Sequence, residues 1–235
     1  MRREIIGDAT IYLGDCLELS VEHDLLLVDP PYGKDFESGK AGGKWGKIAN
    51  DAASQQGYVV ERLAHALKGL KRGRHVYVFG PTDLSTLLLC EPVELIWDKE
   101  MIGMGDLSAP WGPQHEPIQF AVYELSKANL AKGYGKLAAR LRKGSVLRSL
   151  RANSGAVKRH PNEKPVDILR QMIESSSVLG ETVYDCMVGS GSTVEAALLE
   201  GRKVVACEIE DRYFDTTCER AYQTQRLAKS EGLFA

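Results

Sequence analysis

The chain predicts an α/β fold: a largely parallel sheet with helices on both faces. Three observations carry that expectation. Apolar runs of strand length alternate with segments of helical spacing along most of the sequence. Two of those runs end in turns rich in chemistry, Leu25 to Val28 before Asp29-Pro30-Pro31-Tyr32, and Thr182 to Tyr184 before Asp185 and the Gly189-Ser190-Gly191 turn. The 235 residues, 43% hydrophobic, can bury one substantial core with at most a small appended lobe.

Taken in order, Ala9 to Leu13 and Leu25 to Val28 read as strands. Residues 33–53, rich in glycine and lysine around Trp45, read as a mobile loop over a site. Val59, Val60, Leu63, Ala66 and Leu67 give Ser54 to Leu67 a helical face, which Gly69 ends. His75 to Phe79 is a third strand, and Asp83 to Cys90 a short helix. Glu94 to Trp97 and Ile118 to Val122 are strands around a stretch rich in glycine and proline. Leu137, Leu141, Leu147 and Leu150 then show weak helical patterning. Pro165 suits a helix's first turn, followed by an apolar face at Val166, Ile168, Leu169, Met172 and Ile173. Val183 to Asp185 and Val204 to Cys207 are strands, Thr193 to Leu199 a helix, and a last helix runs from about Asp211 to Ala228.

Composition narrows the classes. No apolar run approaches the roughly 18 residues of a membrane span, and the polar N-terminus does not read as a signal peptide. Five cysteines without a CxxC pair argue against a disulfide framework or a zinc site and for a reducing cytoplasm. The net charge of −2 conceals an asymmetry: ten basic residues and no acidic one lie between Leu125 and Asn162, leaving 20 basic against 32 acidic elsewhere. A solvated helix face normally mixes signs, so this block points to a polyanion partner.

The glycine turn lets backbone approach a ligand and opens a helix whose N-terminus attracts a carboxylate. Glu208 stands about twenty residues on, at the end of the next apolar run, where an acid commonly accepts from ribose hydroxyls. A nucleoside cofactor fits that pattern better than a plain tight turn does. The prolyl turn suits a planar base bearing an amino group. Such an amine is a poor nucleophile because its lone pair is delocalised into the ring. The Asp29 carboxylate and the Pro30 carbonyl can each accept one N–H and expose that lone pair, Pro31 stiffens the turn, and Tyr32 offers a stacking face worth about 1–3 kcal/mol. A paired base cannot reach such a pocket, so the target is flipped out or single-stranded. Together the two turns indicate methyl transfer to a nucleic-acid base.

These motifs resemble those of the amino-group DNA methyltransferases, from about Gly14 to Arg220. The resemblance implies S-adenosyl-L-methionine as cofactor, held by Asp185, Met187, Gly189, Ser190, Gly191, Ser192, Thr193 and Glu208. Cys186, Met187 and Ser192 depart from the usual Pro, Phe and Thr of that loop. His160-Pro161-Asn162-Glu163-Lys164-Pro165 is similar to the family's His-Pro-x-x-Lys-Pro element, which implies that Lys164 pairs with the cofactor carboxylate. Gly14-Asp15-Cys16-Leu17 resembles the adenine-contacting element, with Asp15 accepting from the exocyclic amine and Cys16 giving a backbone N–H. Asp29 belongs to both the catalytic and the cofactor set. Ile96-Trp97-Asp98-Lys99 and His115-Glu116-Pro117-Ile118 resemble elements lining the base pocket, although Trp97 suits a core position better.

The prolyl turn first and the glycine turn last is the order of the β group, which implies a circularly permuted, Rossmann-like fold with a seven-stranded sheet. Residues 1–235 are then one catalytic domain with a small recognition insert at 124–159. Within it Lys136, Arg140, Arg142, Lys143, Arg148 and Arg151 are the candidate DNA contacts, with double-stranded DNA as partner. Asp-Pro-Pro-Tyr is more typical of adenine N6 methylation. Cytosine N4 is the nearest alternative, then an RNA base or a protein glutamine. A homodimer and a cognate restriction endonuclease also follow from the resemblance, not from the residues.

Overall fold

Leu25 and Leu27 face one hydrophobic layer, Leu26 and Val28 a second, and all four are fully buried. A strand apolar on both faces belongs in the middle of a sheet covered on both sides. The computed structural model, which describes residues 1–32, 56–82, 84–102, 108, 110–133, 143–150 and 163–230, places it there. The strands are β1 (Arg2–Ile6), β2 (Ala9–Leu13), β3 (His23–Val28), β4 (Leu70–Phe79), β5 (Val93–Asp98), β6 (His115–Val122), β7 (Val146–Arg148), β8 (Thr182–Asp185) and β9 (Lys203–Glu208). The helices are α1 (Gln56–Leu67), α2 (Lys127–Ala131), α3 (Val166–Ser176), α4 (Ser192–Leu199) and α5 (Asp211–Ser230).

Among the described residues the nine strands form one sheet, ordered β1-β2-β9-β8-β3-β4-β6-β5-β7. Helices α3, α4 and α5 cover one face through Ile168, Leu169, Ile173, Val194, Ala197 and Phe214. Helix α1 covers the other through Val59, Leu63, Ala66 and Leu67. Each such leucine contributes about 1.5–3 kcal/mol by leaving water. The run from β2 to β4 is parallel, but β1 pairs antiparallel with β2, and β6 pairs antiparallel with both β4 and β5. The expected seven-stranded, largely parallel sheet is thus corrected to a nine-stranded mixed one.

Two expected helices are also corrected. Between Leu84 and Cys90 the chain makes turns, with Leu87 N donating to Leu84 O. Leu84 is buried, and Leu87 and Leu88 pack against the same hydrophobic layer, but Leu89 is 69% exposed. Leu147 lies in β7, paired beside β5, while Leu150 is exposed and Leu137 and Leu141 lie outside the described residues. The open edge of β5 supplies backbone partners that a short extended segment can take. The expected loop over 33–53 and much of the 124–159 insert also lie outside the described residues. No helix among those described is long and apolar enough to cross a membrane.

Candidate active site

Strands β3 and β8 are parallel neighbours, with Leu25 opposite Val183 and Leu26 opposite Tyr184. Asp24 Oδ2 accepts the Thr182 N–H (3.0 Å) at the start of the pair and so helps fix this register. Asp29 and Asp185 consequently emerge at the same edge of the sheet. From β3 the chain proceeds outward to β4, and from β8 in the opposite direction to β9. That reversal opens a crevice beyond the carboxyl ends of the strands, the usual ligand position in such sheets.

On the β8 side, Asp185 Oδ1 accepts from Met187 N (3.1 Å), and Thr193 donates to the same carboxylate. Glu208 closes β9, where Oε2 accepts from Gly189 N and Oε1 from Glu210 N, each at 2.8 Å. Burial pushes both acids up to about 7, against those hydrogen bonds. Gly191, with φ +84°, caps α4 in the left-handed region, and a Cβ there would meet Thr217 at 3.0 Å. Among the described residues nothing stands within 4 Å of a Cβ built on Gly189, so a cradle opens there beside Glu208. Ser190, Ser192 and Thr193 are buried beneath the turn, and Met187 is half-buried. Arg220 of α5, 4% exposed, braces the loop from below. It donates to Ser190 O (3.2 Å) and Ser192 Oγ (3.1 Å) and pairs with Glu195 and Glu163. No sequence signal marks this role, because an arginine in a polar helix looks solvated.

Asp15 and Cys16 adjoin this cradle because β2 pairs with β9 and Gly14 N donates to Glu208 O (2.8 Å). Asp15 Oδ1 accepts from Leu17 N (3.1 Å), capping a short 3₁₀ turn over Cys16–Glu18, and Oδ2 pairs with Arg62 of α1. Both its oxygens therefore have protein partners. The Cys16 side chain is buried and meets the Cys186 thiol.

On the β3 side four groups close a ring. The Tyr32 hydroxyl lies 2.7 Å from Asp29 Oδ1 and 2.5 Å from Glu116 Oε1. Lys164 Nζ lies 2.8 Å from Asp29 Oδ2 and 3.0 Å from Glu116 Oε1. Lys99 Nζ holds Glu116 Oε2 from outside at 3.0 Å. Burial pushes the Glu116 acid up, but Lys164, the Tyr32 hydroxyl and Lys99 outweigh it and bring it to about 2. Asp29 shares a single ammonium, and burial holds its acid above the usual range. The Tyr32 phenol is pushed well up by burial and by the two carboxylates. The expected partner of Lys164 was the cofactor; in this structure it rests on Asp29 and Glu116. Pro30 is buried and Pro31 half-buried in the turn. Trp97 is a core residue whose Nε1 donates to Ser149 O (2.8 Å), and His115 is exposed.

Of the candidate DNA contacts, Lys136, Arg140, Arg142 and Arg151 lie outside the described residues. Lys143 pairs with Glu174 of α3 at 2.8 Å, and the largely exposed Arg148 approaches Asp98 at 3.5 Å.

Comparison with known proteins agrees with this architecture. The family model for N6 and N4 methyltransferases, described as DNA methylases, matches residues 23–219. The chain belongs to this DNA methylase family. Across the family, the DNA adenine methyltransferase YhdJ of Escherichia coli K12 is 24% identical to this methylase, over 96% of this chain and 86% of YhdJ. A proposed methylase of the same organism, YubD, is 40% identical over 67 residues, 28% of this chain and 30% of YubD. Among solved structures, the M1.HpyAVI–SAM complex superposes with a TM-score of 0.67 at 17% identity, covering 90% of this chain and 98% of that one. The PvuII cytosine-N4-specific DNA methyltransferase gives 0.65 at 15% identity, covering 94% and 91%. At those identities the likeness is one of fold.

Proposed function

We infer that this methylase transfers a methyl group from S-adenosyl-L-methionine to the N6 amino group of an adenine flipped out of double-stranded DNA. The observation that carries this reading is the emergence of Asp29-Pro30-Pro31-Tyr32 and the Asp185 to Thr193 turn at one edge, from neighbouring parallel strands. The M1.HpyAVI neighbour was solved with SAM, and the open cradle at Gly189 beside the Glu208 carboxylate fits a nucleoside with a ribose diol. Bound there, the cofactor supplies an electrophilic methyl on its sulfonium. Glu208 would take the ribose, the Gly189-Ser190-Gly191 turn and Met187 the methionine portion, and the Asp15-Cys16 loop the adenine. Lys164 would reach the cofactor carboxylate only by sharing its contacts to Asp29 and Glu116.

Asp29 and the Pro30 carbonyl each accept a hydrogen bond from one amine N–H, and this directs the nitrogen lone pair at the methyl. No covalent enzyme intermediate is needed, so catalysis is positioning and electrostatics. After transfer the amine proton leaves through Asp29. The permuted β-group order supports this assignment, since the Asp29 strand precedes the Asp185 strand in sequence yet lies beside it. The basic block supplies phosphate contacts that position the duplex, and a homodimer and a restriction partner at the same target sequence complete the proposal.

Cytosine N4 is the second reading, favoured by the fold likeness to the PvuII enzyme. Hydrolysing methylated product DNA to nucleosides decides between them. N6-methyladenine is expected; N4-methylcytosine alone would replace the adenine assignment.

The Glu208 acid, at about 7, makes cofactor binding pH-dependent. Ribose hydroxyls donate best to the ionised form, which gains population as pH rises through the folded value. Affinity for S-adenosylmethionine is expected to increase about tenfold between about pH 6 and 8. Calorimetry on Glu208→Gln should give weaker, pH-flat binding. A slope that survives in the variant would assign the titration to Asp185 instead.

A further inference from the structure

Tyr32 has one phenolic proton and two carboxylates within reach, at 2.7 and 2.5 Å. Lys164 likewise divides its ammonium between the same two acids. Every donor drawn toward Glu116 leaves a lone pair of Asp29 uncommitted, and Asp29 needs one to accept from the target amine. Lys99 fixes Glu116 from the far side, and its Nζ lies over the buried Trp97 ring at 4.9 Å, so the anchor belongs to the core. We propose that Glu116 is a positioning residue for methyl transfer, holding the Tyr32 hydroxyl and the Lys164 ammonium partly off Asp29 so that Asp29 can receive the amine. This rests on reading Asp29 as the amine acceptor.

Glu116 acts through its charge rather than as a proton store. Two ammoniums hold it ionised down to about 2, so it does not take up the proton released from the amine. Without that charge, Lys164, only 5% exposed, has one carboxylate left among the described residues and closes on it. A buried ammonium demands such a partner. The charged groups facing Asp29 are Lys164 ahead of α3, Glu116 on β6 with Lys99 behind it, and Asp185 at the end of β8. Tyr32 contributes a neutral hydroxyl.

Glu116→Gln keeps the shape and removes the charge. Turnover is expected to fall about tenfold, the scale of a charge-assisted contact, while KM for the cofactor changes less than about threefold. Carboxyl-carbon NMR of the free protein, with Asp29 assigned through Asp29→Asn, should show Asp29 titrating at lower pH in Glu116→Gln, because a like charge has gone. A merely structural disturbance would not move that titration in this sense. Should Glu116→Gln not fold, Glu116→Asp carries the test. One methylene shorter, it must release Tyr32 or Lys99, and turnover should drop by about threefold. Unchanged turnover in the folded variant, or an unmoved Asp29 titration, overturns the proposal. A wild-type protein that methylates no amino group would sink the functional reading, whereas the carboxyl titration needs neither DNA nor cofactor and still decides the part played by Glu116.

Discussion

Asp29→Asn is expected to lower turnover by about 10³-fold while leaving the dissociation constant for S-adenosylmethionine within several-fold. Asparagine preserves the outline of the side chain but exchanges one acceptor for a donor. Lys164 at Oδ2 and the Tyr32 hydroxyl at Oδ1 both approach as donors, so one of them meets an amide N–H. The target amine would meet the same conflict. Lys164 and Tyr32 keep Glu116 as a partner, which protects the fold and isolates the chemical effect. Single-turnover methylation with bound cofactor is the measurement. Turnover within tenfold of wild type would remove Asp29 from the amine-acceptor role.

Gly80→Ala is expected to cost about 1–2 kcal/mol of stability and about a hundredfold in turnover. Gly80 follows β4 with φ +84°, in the left-handed region, and its N–H donates to Pro117 O (2.9 Å). An added Cβ would lie 2.3 Å from Tyr32 Cε1 and 2.6 Å from Cδ1. The ring must therefore move, and its hydroxyl leaves the two carboxylates it bridges. The site depends on the absence of a side chain at a position remote in sequence from the prolyl turn. Thermal melting separates the backbone strain from the displacement of Tyr32. A Gly80→Ala enzyme with normal turnover would show that the ring's position does not matter.

The centre of the molecule was readable because it is apolar on both sides. Strand β3 carries the run Leu25 to Val28, β8 carries Val183 and β9 carries Val204 and Val205; Asp29 follows the first at the crevice, and Asp185 and Glu208 close the other two. The rim was not readable. Strand β1 is Arg2-Arg3-Glu4-Ile5-Ile6, where charge hides a pairing set by the exposed edge of β2 rather than by propensity. Strand β7 is three residues long, too short to outweigh leucines spaced as in a helix. In the site, the prolyl and glycine turns declared themselves because their residue types are rare together. Resemblance put the element of Glu116 beside the base pocket, but nothing in the residues announces its contact with Tyr32, which only the fold brings about. The partners of Asp15 and Lys164 were equally invisible, since each lies across the fold from its contact, Arg62 in one case and Asp29 with Glu116 in the other.

The seating of β2 against β9 has a consequence for synthesis. The β1–β2 hairpin is translated well before β9, the strand it docks on. Arg2 reaches Asp211 and Asp215, and Ile6 O accepts from Gln225, all on α5. Until that helix exists the β1–β2 hairpin lacks these partners, so its docking waits on segments far along the chain, a slow, long-range closure.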